Sequence, residues 1–254
     1  MYWKSRVEYM KHICLFSGGA GSAYMSYLIA REYPNDTILL YNNPKAEHPD
    51  AERFRNQIAK YIGLPITEVS DGRDLWELID DNHCLPSAFI PFCSRILKQE
   101  PTEKYYAEMD ENFTIYIGYG PDEGRRIQKQ TARIEHAHRK VKYPLFEAQI
   151  TNEEVKNIIK NEWKICLPEP YKYLKHNNCI PCFKGGLSHF KRVWRYYPEY
   201  FQLAIDKEKQ IGNTVFKEQS LENYAKDWQK ELDNNVDLFS EEELDDTVPC
   251  MCAL

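Results

Sequence analysis

The sequence predicts an α/β fold, a mostly parallel, Rossmann-like sheet flanked by helices, followed by a helical, cysteine-containing C-terminal part. Three observations predict it. Short apolar runs alternate with helical patterns through the first half. The connections between them are short, and a glycine-rich turn follows the first apolar run directly. The chain of 254 residues is long enough for one large domain or one domain with an appendage. The expected division is residues 1–149 as the α/β domain and residues 150–254 as the helical region.

Residues 12–16, His-Ile-Cys-Leu-Phe, read as the first strand, and residues 22–32 as the helix after it. Residues 37–41 are a second apolar run, ending at Asn42-Asn43-Pro44. Residues 49–62 carry apolar side chains at Phe54, Ile58, Tyr61 and Ile62, a helical period stopped by Gly63. Residues 65–69 and 114–117 are the third and fourth strands, the latter ending at Gly118. Strand, helix and strand with short links imply right-handed crossovers and a parallel sheet. Ligands of such sheets sit at the carboxyl ends of the strands. From residue 151 onward the pattern is helical. Thr151 with Glu154 is a capping box opening a helix to residue 163. Residues 187–211 read as helices broken near Pro198, and residues 221–232 as another.

Composition narrows the function. Hydrophobic residues at 43% and aromatics at 13% exclude a disordered chain. A net charge of −6 argues against sequence-blind coating of DNA, while leaving room for a local basic groove. The longest uncharged run, residues 13–30, contains Ser17-Gly18-Gly19 and is no membrane span. No apolar signal segment opens the chain, so the expected location is cytoplasmic. In a reducing compartment, a close pair among the eight cysteines reads as a metal, cluster or redox site before a disulfide.

Ser17-Gly18-Gly19-Ala20-Gly21-Ser22 ends a strand and opens a helix. Backbone N–H groups at such a turn converge on one point, which suits a phosphate, and Ser17 and Ser22 add hydroxyls. The pattern SGGxxS resembles the PP-loop of the adenine nucleotide α-hydrolase superfamily. That superfamily includes phosphoadenylyl-sulfate (PAPS) reductases, sulfate-adenylylating ATP sulfurylases, and tRNA- and DNA-thiolating enzymes. Its usual form is SGGxDS, and Gly21 stands where the Asp belongs.

Further segments add to the resemblance. Residues 91–101, with Cys93, Ser94, Arg95, Lys98 and Pro101, are similar to the Cys-Cys-Arg-x-x-Lys-x-x-Pro segment of sulfonucleotide reductases, Ser94 replacing the second cysteine. Arg95 and Lys98, three apart on a helix, are expected to face one way and to meet phosphate or sulfate. Residues 117–126 resemble the family's G-x-x-x-(D/E)-x-x-R loop. The resemblance implies that Gly118 approaches the nucleotide, that Arg125 or Arg126 reaches its phosphates, and that Asp122 or Glu123 holds Mg²⁺. Asn43 is placed with the cofactor-binding residues at the second strand's end. Glu47-His48-Pro49-Asp50 resembles the family's acidic segment there; a helix N-cap by Asp50 explains it equally.

Cys179 and Cys182 form a CxxC within His-Asn-Asn-Cys-x-x-Cys-x-Lys-Gly-Gly. Two thiolates three apart on a turn chelate one metal or share one cluster. The string is similar to a branch of reductase-like proteins common in phages and mobile elements. Cys250 and Cys252 complete a set of four by simple chemistry, the resemblance recruits Cys93 instead, and Cys166 is a further candidate. A 4Fe–4S cluster and Zn²⁺ both fit such a set. Cys250 is also the candidate nucleophile, although the Glu-Cys-Gly-x-His segment of true reductases is absent around it.

The expected function is therefore nucleotide-dependent catalysis. ATP, or an adenylylated sulfate, would bind on residues 17–22, with Arg95, Lys98 and Arg126 stabilising charge during adenylyl transfer coupled to sulfur chemistry. The acceptor would be a nucleic acid or a protein, with a separate sulfur donor. The alternatives are a sulfonucleotide reductase using Cys250, and a nucleotide- or metal-binding module without turnover. His136 and His138 read as surface residues. The aromatics Trp194, Tyr196, Tyr197, Tyr200 and Phe201 read as a packing face, with a nucleic-acid stacking platform as the alternative.

Overall fold

The strands β1 (Met10–Leu15), β2 (Thr37–Asn42), β3 (Ile66–Val69), β4 (Asn112–Tyr116) and β5 (Lys140–Lys142) form one parallel sheet in the order β3-β2-β1-β4-β5. They come from a computed structural model, which describes residues 10–110 and 112–234. The helices are α1 (Ala20–Glu32), α2 (Pro49–Ile62), α3 (Leu75–Asn82), α4 (Phe92–Ser94), α5 (Glu100–Ala107), α6 (Gly124–His136), α7 (Pro144–Glu147), α8 (Asn152–Asn157), α9 (Leu187–Tyr196), α10 (Pro198–Ile211) and α11 (Leu221–Asp233). Among the described residues no helix is long and apolar enough to cross a membrane.

Ile13 of β1 pairs in register with Ile38 of β2 and Ile115 of β4, so β1 lies at the centre. Side chains alternate across a strand. Cys14 and Phe16 accordingly join one core with α1, α2 and α8, through Met25, Phe54 and Val155. Ile13 and Leu15 join another with Tyr106 of α5 and Ile134 of α6. Both faces are covered, which is why these strands read as unbroken apolar runs. The fifth strand was not expected. It is a three-residue edge strand, Lys140-Val141-Lys142, whose single apolar residue gives no run to detect.

Local signals explain several boundaries. Thr151 and Glu154 make the expected reciprocal capping box at α8. The cap of α2 falls at His48 instead of Asp50: His48 Nδ1 accepts from Asp50 N at 3.2 Å, and Pro49 takes the first helical position. Gly63 closes α2 with φ 83°, as its place after Ile62 predicts. Between α4 and α5 the chain forms a π-helical turn, Arg95–Gln99.

After residue 151 the described chain forms helices joined by loops, the longest over residues 163–186, and its only strand-like pairing is one isolated bridge between Glu47 and Cys179. The helices α3, α9, α10 and α11 share a further core, including Leu78, Phe190, Phe201 and Trp228. Trp194, Tyr197, Tyr200 and Phe201 pack there, with Trp194 and Phe201 5.7 and 5.9 Å from Trp228, while Tyr196 is exposed and stacks 4.0 Å from Tyr173. Lys191 beside them pairs with Glu231 of α11 at 3.0 Å. This is the packing face expected, and His136 and His138 are exposed as expected.

Candidate functional site

The chain leaves β1 toward β2 on one side and leaves β4 toward β5 on the other. Between two such strands the connecting loops diverge and open a crevice. A cavity of about 440 Å³ occupies it, lined by Ser17, Gly19, Ala20, Gly21 and Ser22 after β1 and by Gly118, Tyr119, Asp122, Glu123 and Arg126 after β4. The two loops touch through glycines. A Cβ on Gly21 would lie 2.6 Å from the Gly118 carbonyl oxygen, and a Cβ on Gly118 would lie 2.6 Å from the Gly21 carbonyl. Gly18 turns the first loop at φ +75°.

The loop is held from inside and from across the cavity. Ser22 Oγ donates to the Gly19 carbonyl at 2.9 Å, and Ser17 Oγ donates to Ser22 Oγ at 3.2 Å. The Tyr171 hydroxyl accepts from Ala20 N at 3.1 Å. Asn177 Nδ2 donates to the Gly18 carbonyl at 3.0 Å.

Behind the loop, the Arg55 guanidinium stacks 3.9 Å from the Tyr41 ring centre and bonds Glu47 at 2.7 Å. Burial pushes the Glu47 carboxyl up, while Lys98 and Arg55 pull it down. Lys98 also lines the cavity, its carbonyl held by Asn42 at the end of β2. Arg126 lies 4.3 Å over the Tyr119 ring and bonds Glu123, which in turn accepts from Gly120 N at 2.8 Å. Lys156 and Lys175 complete a cationic wall. His176 stands among Arg126, Lys175 and Lys156; burial and these cations push its pKa down to about 4, leaving it neutral near pH 7.

Of the residues expected on the nucleotide, Ser17, Gly19, Ala20, Gly21, Ser22, Lys98, Gly118, Asp122 and Arg126 line this cavity. Three do not. Arg125 is exposed on α6. Arg95 is exposed and bonds Glu100, because the π turn takes residues three apart off a common face. Asn43 accepts from Lys45 N at 2.9 Å and donates to Glu68 at 2.9 Å, and so shapes its own loop. The sequence reading missed Arg55, Asn152, Lys156, Tyr171, Lys175, His176 and Asn177 at the site. Most come from segments 130 or more positions from the glycine-rich turn; His176 and Asn177 were marked only as part of the cysteine string, and no local pattern marks the others.

Cys93, Cys179 and Cys182 line a second, smaller pocket with Ser94, Lys98 and Lys184. Lys184 is 4% exposed and donates to Ser94 Oγ at 3.4 Å. Ile180 N donates to the Ala46 carbonyl at 2.9 Å, tying the cysteine turn to the loop that carries Glu47. His189 Nε2 accepts from Cys182 N at 2.9 Å. Cys166 is exposed elsewhere, its carbonyl accepting from Arg53 at 3.1 Å. Cys250 and Cys252 lie outside the described residues. Thiols suit a soft metal or a cluster, and Asp122 suits Mg²⁺. Yet among the described residues no three His, Cys, Asp or Glu side chains converge as a metal ion requires. The described side chains thus form no metal centre.

The model of the phosphoadenosine phosphosulfate reductase domain matches residues 11–166. The chain is also similar to an uncharacterized nin region protein, ORF290, of Escherichia phage lambda, 25% identical over 69% of this chain and 66% of that one. The match thus spans just under two thirds of that relative's length.

Proposed function

The chain belongs to the phosphoadenosine phosphosulfate reductase domain family, a nucleotide-binding family, and we propose that it is an enzyme acting on an adenine nucleotide at the α-phosphate, with adenylyl transfer coupled to sulfur chemistry. One observation carries this reading. Lys98 stands on the wall of both the glycine-loop cavity and the pocket of Cys93, Cys179 and Cys182. A nucleotide in the first is thereby next to thiols in the second.

With ATP as ligand, the phosphates lie on residues 17–22 at the positive end of α1. An acceptor oxygen attacks the α-phosphorus and gives its proton to solvent. The bond to the bridging oxygen breaks, and pyrophosphate leaves with the electron pair. Lys98 and Arg126 offset the charge gathering on the phosphates. Sulfur from a separate donor then enters the acceptor, and AMP leaves with the activated oxygen. A nucleic acid or a protein serves as acceptor. A Mg²⁺ ion and a metal or iron–sulfur cluster on the cysteines belong to the same reading and carry no step in it.

The three thiols beside the cavity favour a second reading, in which the ligand is an adenylylated sulfate. A thiolate would attack its sulfur and expel the adenosine phosphate, and a second thiol would release sulfite and leave a disulfide. Calorimetry with ATP and with adenosine 5′-phosphosulfate, followed by product analysis, tests both. Pyrophosphate and AMP from ATP support the first reading, and sulfite supports the second. Binding without turnover marks a regulatory module. Binding of neither nucleotide overturns the proposal.

A further inference from the structure

Residues 169–178 lie beyond the stretch that the family model matches, yet they build one wall of the cavity with Tyr171, Lys175, His176, Asn177 and Asn178. The segment is fastened at both ends. Glu169 N donates to Asp50 Oδ2 at 2.8 Å, Tyr197 donates to the Glu169 carboxylate at 2.5 Å, and Asn177 holds the Gly18 carbonyl. It is therefore a fixed wall of the site.

Two groups on this wall are left with unfilled hydrogen-bonding capacity among the described residues. The Tyr171 hydroxyl accepts from Ala20 N, and its own proton has no acceptor. Burial pushes its pKa up, so the proton stays on. Asn177, 7% exposed, uses Nδ2 on the loop and leaves Oδ1 without a donor. Lys156 Nζ lies 5.5 Å from the Tyr171 ring centre.

We propose that Tyr171 is a binding and specificity residue of this site: its hydroxyl donates to an anionic oxygen of the bound nucleotide. Because Ala20 N is already given to the phenol, that anionic group sits one hydroxyl further from α1 than a direct seat on the loop would place it. Lys156 and Lys175 face it there, and Asn177 Oδ1 is left for a donor on the ligand, such as a ribose hydroxyl. The inference rests on the nucleotide reading above.

The test is a titration of the wild-type protein and of Tyr171→Phe with ATP, with adenosine 5′-phosphosulfate and with adenosine. Loss of a hydrogen bond to a charged group should weaken both anionic ligands about tenfold or more. Adenosine should bind both proteins alike. Lys156→Gln, which keeps the phenol, should show the same loss confined to anionic ligands, so a fold defect in Tyr171→Phe leaves the question answerable. Equal or tighter binding of the anionic ligands by Tyr171→Phe means the phenol only plugs the loop and overturns the inference. A matching loss for adenosine overturns it too. A wild-type protein that binds no nucleotide sinks the nucleotide reading itself, and this inference with it.

Discussion

Arg55 bonds Glu47 at 2.7 Å with both side chains more than nine-tenths buried, directly behind the glycine-rich loop. The pair joins α2 to the loop after β2, and Arg55 fills the space against Gly18, where a side chain would meet its Cγ at 2.9 Å. Removing one member of a buried pair leaves the other charge without compensation. Arg55→Met should therefore destabilise the protein by about 3–5 kcal/mol. The double variant Glu47→Gln, Arg55→Met should recover a good part of that. Urea unfolding measures both. A single-variant cost under about 1 kcal/mol would show that the pair does not hold the loop.

Lys98 and Arg95 were expected to act together, and they should now behave differently. Lys98→Ala removes a cation from the cavity wall and leaves the carbonyl that Asn42 holds. Its affinity for ATP should fall about tenfold, and the unfolding midpoint should fall as well, because Lys98 also compensates the buried Glu47 carboxylate. Arg95→Ala removes an exposed side chain paired with exposed Glu100, and binding should stay within about twofold of the wild type. Equal losses in the two variants would mean that the π turn rearranges on binding.

That contrast shows what the sequence carried and where it stopped. The parallel sheet was legible because β1, β2 and β4 are buried on both faces, and burial writes apolar runs. The glycine-rich loop was legible because a tight turn at φ +75° needs glycine at position 18. Lys140–Lys142 was not, since an edge strand of three residues needs only one apolar side chain. Arg95 was misplaced because a spacing of three implies one face only in an α-helix. Tyr171 was invisible, and Asn177 was legible only as part of the cysteine string, because their partners, Ala20 and Gly18, lie 151 and 159 positions away.

The contact between Gly21 and Gly118 predicts that the family's usual aspartate cannot simply be restored. A Cβ at position 21 meets the Gly118 carbonyl oxygen at 2.6 Å, so Gly21→Asp forces two loop backbones apart. Overpacking of this kind costs about 1–3 kcal/mol. The variant should have a lower unfolding midpoint and weaker, not stronger, nucleotide binding. Gly118→Ala should fail in the same way, since its Cβ meets Gly21 from the other side at the same distance. An aspartate variant that is as stable as the wild type and binds Mg²⁺-ATP more tightly would show that the loops separate readily.

His189 couples the cysteine turn to pH. Its Nε2 accepts from Cys182 N, which only the neutral ring allows, and burial, with His176 and Arg192 nearby, pushes its pKa down to about 4 from an ordinary 6.5. Between those values the unfolded chain binds a proton that the folded chain refuses. The stabilisation is complete above pH 6.5 and is lost as pH falls toward 4. His176, also held near 4, acts in the same window. Glu47 and Glu208, pushed up by burial, act with the opposite sign, so the informative quantity is a difference between two proteins. The contribution of Asp50 is constant through the window and is lost only as pH falls below its ordinary 3.8 toward about 2. His189→Gln keeps an acceptor for Cys182 N that does not titrate. Its unfolding midpoint should therefore drop less than that of the wild type between about pH 7 and about pH 4.5. Parallel curves would mean that the His189 ring stays accessible to protons in the folded protein, and that the Cys182 turn is held by something other than this bond.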